Sequence, residues 1–244
     1  MENELELFKE TNVVKNELVQ RSPVRLLEKT IQGGLKAGEI GILSAPKGIG
    51  KTSVLVQIAL DKLMQDKKVI HISFNQHASH VQNWYGNIFE EMARKKQLEN
   101  ERDVADEIIR NRVLMNFNQE GVNSDVIRRS LKSMIVEGGF KADSIIIDGF
   151  DFTISDRGRV STLKDFAKDI GVSVWYSCDL PPPPSYDKHN IPVVLKDIED
   201  LIDVIIVLDP RTTYTELRVS KEHGNYKTES IVRLDPKTLL ILEN

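Results

Sequence analysis

The chain has 244 residues, 40% apolar and 29% charged, with a net charge of -4. That composition suits one large α/β core and excludes an intrinsically disordered chain or a membrane protein. No window approaches eighteen consecutive apolar residues, and the start (MENELELFKE) lacks the basic and apolar regions of a signal peptide. A soluble, cytoplasmic protein is therefore expected, with no bulk electrostatic attraction to nucleic acid. The single cysteine, Cys178, excludes an internal disulfide or a zinc site of several thiolates.

Residues 1–23 have weak periodicity and end at Ser22-Pro23, so they read as an N-terminal arm before a domain at 24–244. Residues 39–44 form a short apolar strand. A helix follows at 52–65, with Val54, Leu55, Ile58, Ala59 and Leu63 at helical spacing. Residues 68–74 read as a second strand, and Val81, Trp84, Tyr85, Ile88, Phe89 and Met92 then mark a long amphipathic helix. The charged stretch 94–111 reads as surface helix.

Further strands are expected at 113–117, 144–147, 172–177 and 204–208, with helices at 124–136 and around Leu163, Phe166, Ala167 and Ile170. Beyond these, 213–220 alternates, and 230–234 and 239–242 read as hairpin strands. Regular β–α alternation predicts a doubly wound, mostly parallel sheet with antiparallel C-terminal edge strands. The four prolines at 181–184 form a stiff extended stretch.

The strongest chemical signal is Ala45-Pro46-Lys47-Gly48-Ile49-Gly50-Lys51-Thr52, a phosphate-loop pattern with Ala in the first glycine position. The chemistry calls for this arrangement. Backbone N–H groups must turn inward around an anion, which requires residues without bulk at the turn. The helix that follows, opening with Thr52 and Ser53, presents its N-terminal amides to the same anion. Lys51 would bridge the β- and γ-phosphates of ATP, and the Thr52 hydroxyl would sit on Mg²⁺. Asp148 closes the apolar run 144–147 and is the candidate second Mg²⁺ group, because an acid at the C-terminal end of a buried parallel strand faces the ligand crevice.

With these residues in place, the chain resembles the RecA-like P-loop ATPases, in the branch containing KaiC and the DnaB-type replicative helicases. Gln32-Gly33-Gly34-Leu35-Lys36-Ala37-Gly38-Glu39 is similar to that branch's lead-in to the phosphate loop. The resemblance covers about residues 24–242 and implies a RecA-like core, ATP or ADP bound between subunits, and assembly into homo-oligomers such as hexameric rings.

Three departures bear on activity. The family's hydrolytic Glu follows the second strand, where this chain has Ser73-Phe74-Asn75-Gln76, and no Asp or Glu occurs from 67 to 89. An amide orients water but cannot accept its proton, and loss of a general base costs about 10²–10⁴-fold in rate. Asp151 is the preferred substitute acid, with Asp179 as a second. Next, the family's K-x-R-G pattern reaches in trans to a neighbour's γ-phosphate. Here Ser220-Lys221-Glu222-His223-Gly224 keeps Lys221 and replaces the arginine with His223. Last, the family's polar residue after the fifth strand corresponds to Cys178 or Asp179. Cys178 itself reads as a buried small hydrophobe.

The loops that carry basic residues in DNA-handling relatives contain Arg157 and Arg159 balanced by Asp151 and Asp156, and a proline-rich segment at 179–192. Neither makes a basic stripe, so a protein partner is expected over nucleic acid. The leading expectation is a nucleotide-dependent switch or assembly factor that binds Mg²⁺ and ATP with weak or absent hydrolysis. The alternatives are a working ATPase acting on DNA and a protein-interaction module with a vestigial phosphate loop.

Overall fold

The computed structural model describes residues 15, 19–20, 22, 24–74, 76–96, 101–118, 124–153, 157–227, 230–235, 237–238 and 240–242. Most of the expected N-terminal arm, Asn75 and Asp156 lie outside them. In chain order the elements are α1 (Val24–Thr30), β1 (Ile40–Ala45), α2 (Lys51–Met64), β2 (Val69–Ser73), α3 (Ala78–Lys96), α4 (Glu101–Arg110) and β3 (Arg112–Asn116). These are followed by α5 (Ser124–Lys132), β4 (Ser144–Asp148), α6 (Arg157–Ile170), β5 (Ser173–Asp179), a 3₁₀ helix (Val193–Leu201), β6 (Val204–Pro210), β7 (Thr215–Glu222), β8 (Asn225–Tyr226) and β9 (Ser230–Leu234).

The sheet runs β3-β2-β4-β5-β1-β6-β7-β8, with β9 also paired to β7. Its first six strands pair in parallel, and β7, β8 and β9 add by antiparallel pairing. The fold is therefore α/β with a mostly parallel mixed sheet and the antiparallel C-terminal edge that the alternation predicts.

Alternation along the central strands divides the core in two. In β1, Leu43 and Ala45 pack with α1, α2, α3 and α4, while Ile40 and Ile42 pack with α5, α6 and the 3₁₀ helix. Both faces of a central parallel strand are covered, which is why these strands read as continuous apolar runs. Helix α2 is buried almost all round, including Lys51, Ser53, Gln57 and Asp61. A helix so enclosed is a rigid mount for the loop at its N-terminus. Buried Asp61 pairs with Arg25 of α1, and Lys62 with Glu28 at 2.9 Å, so the segment from Val24 onward is tied to this mount.

Three local features differ from the expectation. The helix predicted at 124–136 completes its last turn as a wider π turn, Ser133–Glu137. The 3₁₀ helix has no counterpart among the expected elements. Its apolar residues Leu195, Ile198 and Leu201 pack into the core on the α5 and α6 side of the sheet. Finally, β9 pairs antiparallel with β7 as well as meeting the segment after it, through a bridge between Leu234 and Ile241 and the Leu242 N–H donating to the Arg233 carbonyl at 2.7 Å.

Candidate phosphate-binding site

The C-terminal ends of β1, β4 and β5 converge where the chain leaves β1 for α2. Between these elements the backbone turns through Gly48 at φ +86° and Gly50 at φ +104°. Both angles lie in the left-handed region, where a side chain costs about 1 kcal/mol or more. A Cβ at Gly50 would also meet Leu234 at 3.0 Å. The glycine spacing of the motif therefore has a local steric cause.

The side chains around the loop engage one another closely. Thr52 Oγ1 donates to Asp148 Oδ2 at 2.8 Å, and Ser177 Oγ donates to Asp148 Oδ1 at 2.6 Å. Gly149 N donates in turn to Ser177 Oγ at 2.7 Å. The Lys51 ammonium lies 2.7 Å from Asp179 Oδ1 and donates to the Ala45 and Pro46 carbonyls at 3.0 Å each. A cleft of about 350 Å³ opens on these groups, lined by the glycine-turned loop, Asp148, Gly149, Ser177, Asp179, Gln76 and Trp84.

Thr52 and Asp148 thus stand together as the motif requires. Their hard oxygen donors suit an octahedral Mg²⁺ that keeps most of its waters. The loop's amides and Lys51 suit the phosphates it would carry. Gln76 supplies an amide to the wall after β2. Among the described residues no donor reaches its buried Oε1, while its backbone N–H is held by Ser73 Oγ at 3.1 Å. Asn75 lies outside the described residues.

The two candidate replacement acids separate. Asp179 ends β5, in register with Ala45 of β1, and lines the cleft. Asp151 is not among the lining residues; its carboxylate accepts from the Thr153 N–H at 2.8 Å and the Thr153 hydroxyl at 2.6 Å. Cys178 is fully buried, and burial pushes its thiol up to about 12, as a core residue requires.

Lys221 and His223 sit at the other end of the sheet. Because β7 runs antiparallel to β6, Lys221 pairs with Ile205 near the start of β6. Its ammonium is buried and donates to the Glu199 carbonyl at 2.7 Å. His223 Nδ1 lies 3.1 Å from Glu39 Oε1. Arg157 is engaged with Asp200 and the Asp197 carbonyl, and Arg159 lies over the Phe150 ring at 5.2 Å.

Ser177 and Trp84 are site residues that sequence reasoning missed. The signal for Ser177 was present: in the run 175–179, polar Ser177 and Asp179 alternate with buried Tyr176 and Cys178. Trp84 shares the spacing of the apolar stripe of α3, and only the packing shows that it reaches the cleft. Deeper in the sheet, His71 Nδ1 pairs with the Tyr85 hydroxyl at 3.0 Å. Burial pushes His71 down to about 4, against the opposing pull of the nearby Asp148 charge. No family model matches the chain, and no curated protein does.

Proposed function

We propose that the protein is a RecA-like, Mg²⁺-dependent ATP- and ADP-binding switch or assembly factor with weak or absent hydrolysis. The observation that carries this reading is the 2.8 Å contact between Thr52 and Asp148, far apart in sequence but joined beside a glycine-turned loop. Thr52 and Asp148 would hold the magnesium, which supplies charge neutralisation at the phosphates. The loop amides and Lys51 would hold the phosphates themselves.

Slow turnover is supported by the wall residues. The lining acids are Asp148, occupied by two hydroxyls, and Asp179, paired with Lys51. At the end of β2 the cleft meets the Gln76 amide, which cannot take a proton from water. A protein partner is preferred to nucleic acid because Arg157 and Arg159 are already engaged within the chain.

Binding measured by calorimetry, turnover by phosphate release, and oligomeric mass by light scattering test this reading on one preparation. The expected result is magnesium-dependent binding of ATP and ADP, a mass that changes with nucleotide, and turnover far below an ordinary ATPase's. Fast turnover would replace the switch with a working ATPase. Absence of binding and of any nucleotide-induced rise in melting temperature would leave only an interaction module.

A further inference from the structure

We propose that Asp179 is an affinity- and magnesium-setting residue of the phosphate loop: its carboxylate competes with the incoming phosphates for the Lys51 ammonium. The proposal rests on the nucleotide reading above and extends it to how that site is regulated.

An ammonium has three hydrogens, and Lys51 has three acceptors in reach: Asp179 Oδ1, the Ala45 carbonyl and the Pro46 carbonyl. It is also 7% exposed, so water offers little substitute. The two carbonyls belong to the loop that a phosphate must enter. Asp179 differs from them in bearing a formal negative charge and in being 48% exposed, at the rim of the cleft.

Its position follows from the sheet. Asp179 is the last residue of β5 and is in parallel register with Ala45, the last residue of β1 before the loop. Adjacent strands therefore aim the carboxylate at the lysine without relying on a mobile loop. The Gly149–Ser177–Asp148–Thr52 chain beside it leaves Asp179 out, so its side chain is free to release Lys51 without disturbing the magnesium pair.

A phosphate chain entering this loop meets a cation that is already neutralised and a carboxylate that repels it. To bind, it must draw Lys51 away from Asp179. The repulsion scales with the ligand's charge, so a magnesium-bound nucleotide is hindered less than a bare one. Asp179 thus makes the site discriminate against metal-free nucleotide, beyond what Thr52 and Asp148 achieve by holding the metal.

The test compares wild-type protein with Asp179→Asn and Asp179→Ser, measuring ADP and ATP affinity in magnesium and in EDTA, with unfolding curves taken without nucleotide. Removal of the carboxylate should tighten binding by about tenfold in magnesium and by more in EDTA, the scale of one charge-assisted contact. The gap between the two conditions should therefore narrow in both variants. A merely structural role would move the unfolding curve and leave that gap alone.

Unchanged or weakened affinity in both variants, with the wild type still binding through Lys51, would overturn the competition and leave the nucleotide reading standing. Binding by the variants where the wild type binds none would support the competition strongly. Absence of binding in all three proteins would overturn the nucleotide reading and this inference with it.

Discussion

The two ends of the parallel strands use the same kinds of side chain in opposite ways. At the end away from the loop, Asp203 accepts from the Ile40 N–H at 2.7 Å and from Lys164 Nζ at 2.8 Å. His223 meets Glu39, Lys221 meets the Glu199 carbonyl, and fully buried Glu222 pairs with Lys227. These side chains meet partners within the packed chain. At the loop end, Lys51, Thr52, Asp148, Ser177 and Asp179 are also engaged with one another, but around an open cleft. One end uses polar groups to fix strand ends, while the other gathers them around a cleft.

That contrast predicts separable effects. Lys51→Ala should lose about 100-fold in nucleotide affinity, near 2.7 kcal/mol, because the phosphates lose their only buried ammonium partner in the loop. Its stability without nucleotide should change little, since half-exposed Asp179 returns to water. Asp203→Ala should do the reverse. It strips the Ile40 N–H of its acceptor and Lys164 of its carboxylate, and should cost about 2 kcal/mol in urea denaturation, below the fully buried range because Asp203 is partly exposed. Its nucleotide affinity should match the wild type's. An equal affinity loss in both variants would break the comparison.

Between the two ends lies a titratable group that belongs to neither. His71 is buried in β2 and held neutral, with a folded-state value of about 4 against 6.5 for an exposed imidazole. The unfolded chain therefore takes up a proton first as pH falls. The stability from His71 is fully present above pH 6.5 and is lost progressively toward pH 4, with a slope of up to about 1.4 kcal/mol per pH unit. Below pH 4 it contributes no further loss. His71→Gln keeps a polar partner for Tyr85 without the titration, so its stability profile should be flatter between pH 6.5 and 4. A parallel profile would place the acid sensitivity elsewhere, for example among the carboxylates.

The glycine-turned loop and the place of Asp148 beside it were legible in the sequence because their constraints are local: glycines at left-handed turns, an apolar run, and an acid at its end. The pairing of Asp179 with Lys51 was not, because it depends on which strands are neighbours and in what register. The placement of the K-E-H-G stretch was likewise not legible: the antiparallel direction of β7 carries Lys221 to the end of the sheet away from the loop, where its ammonium donates to the Glu199 carbonyl. Its partner Glu199 lies on the 3₁₀ helix, an element that the sequence reading did not expect. Where a side chain's role is set by strand neighbours rather than by its own segment, sequence spacing alone ranks candidates poorly.

The two substitute acids turn that limit into the smallest prediction. Asp151 stood first by its closeness in sequence to Asp148, and Asp179 second. In the fold, Asp179 lines the cleft while the Asp151 carboxylate caps the Thr153 backbone and hydroxyl. A carboxylate closing such a turn stabilises the loop locally and has no proton to take from a cleft it does not line. Asp151→Ala should therefore leave nucleotide affinity and any residual turnover within about twofold of the wild type, the scale of an ordinary surface change. The readout is the same calorimetry and phosphate-release pair used for Lys51→Ala. A loss of turnover approaching that of a missing general base would mean that nucleotide binding draws Asp151 off Thr153 and into the cleft. The loop after β4 would then belong to the responsive end of the molecule rather than to its fixed frame.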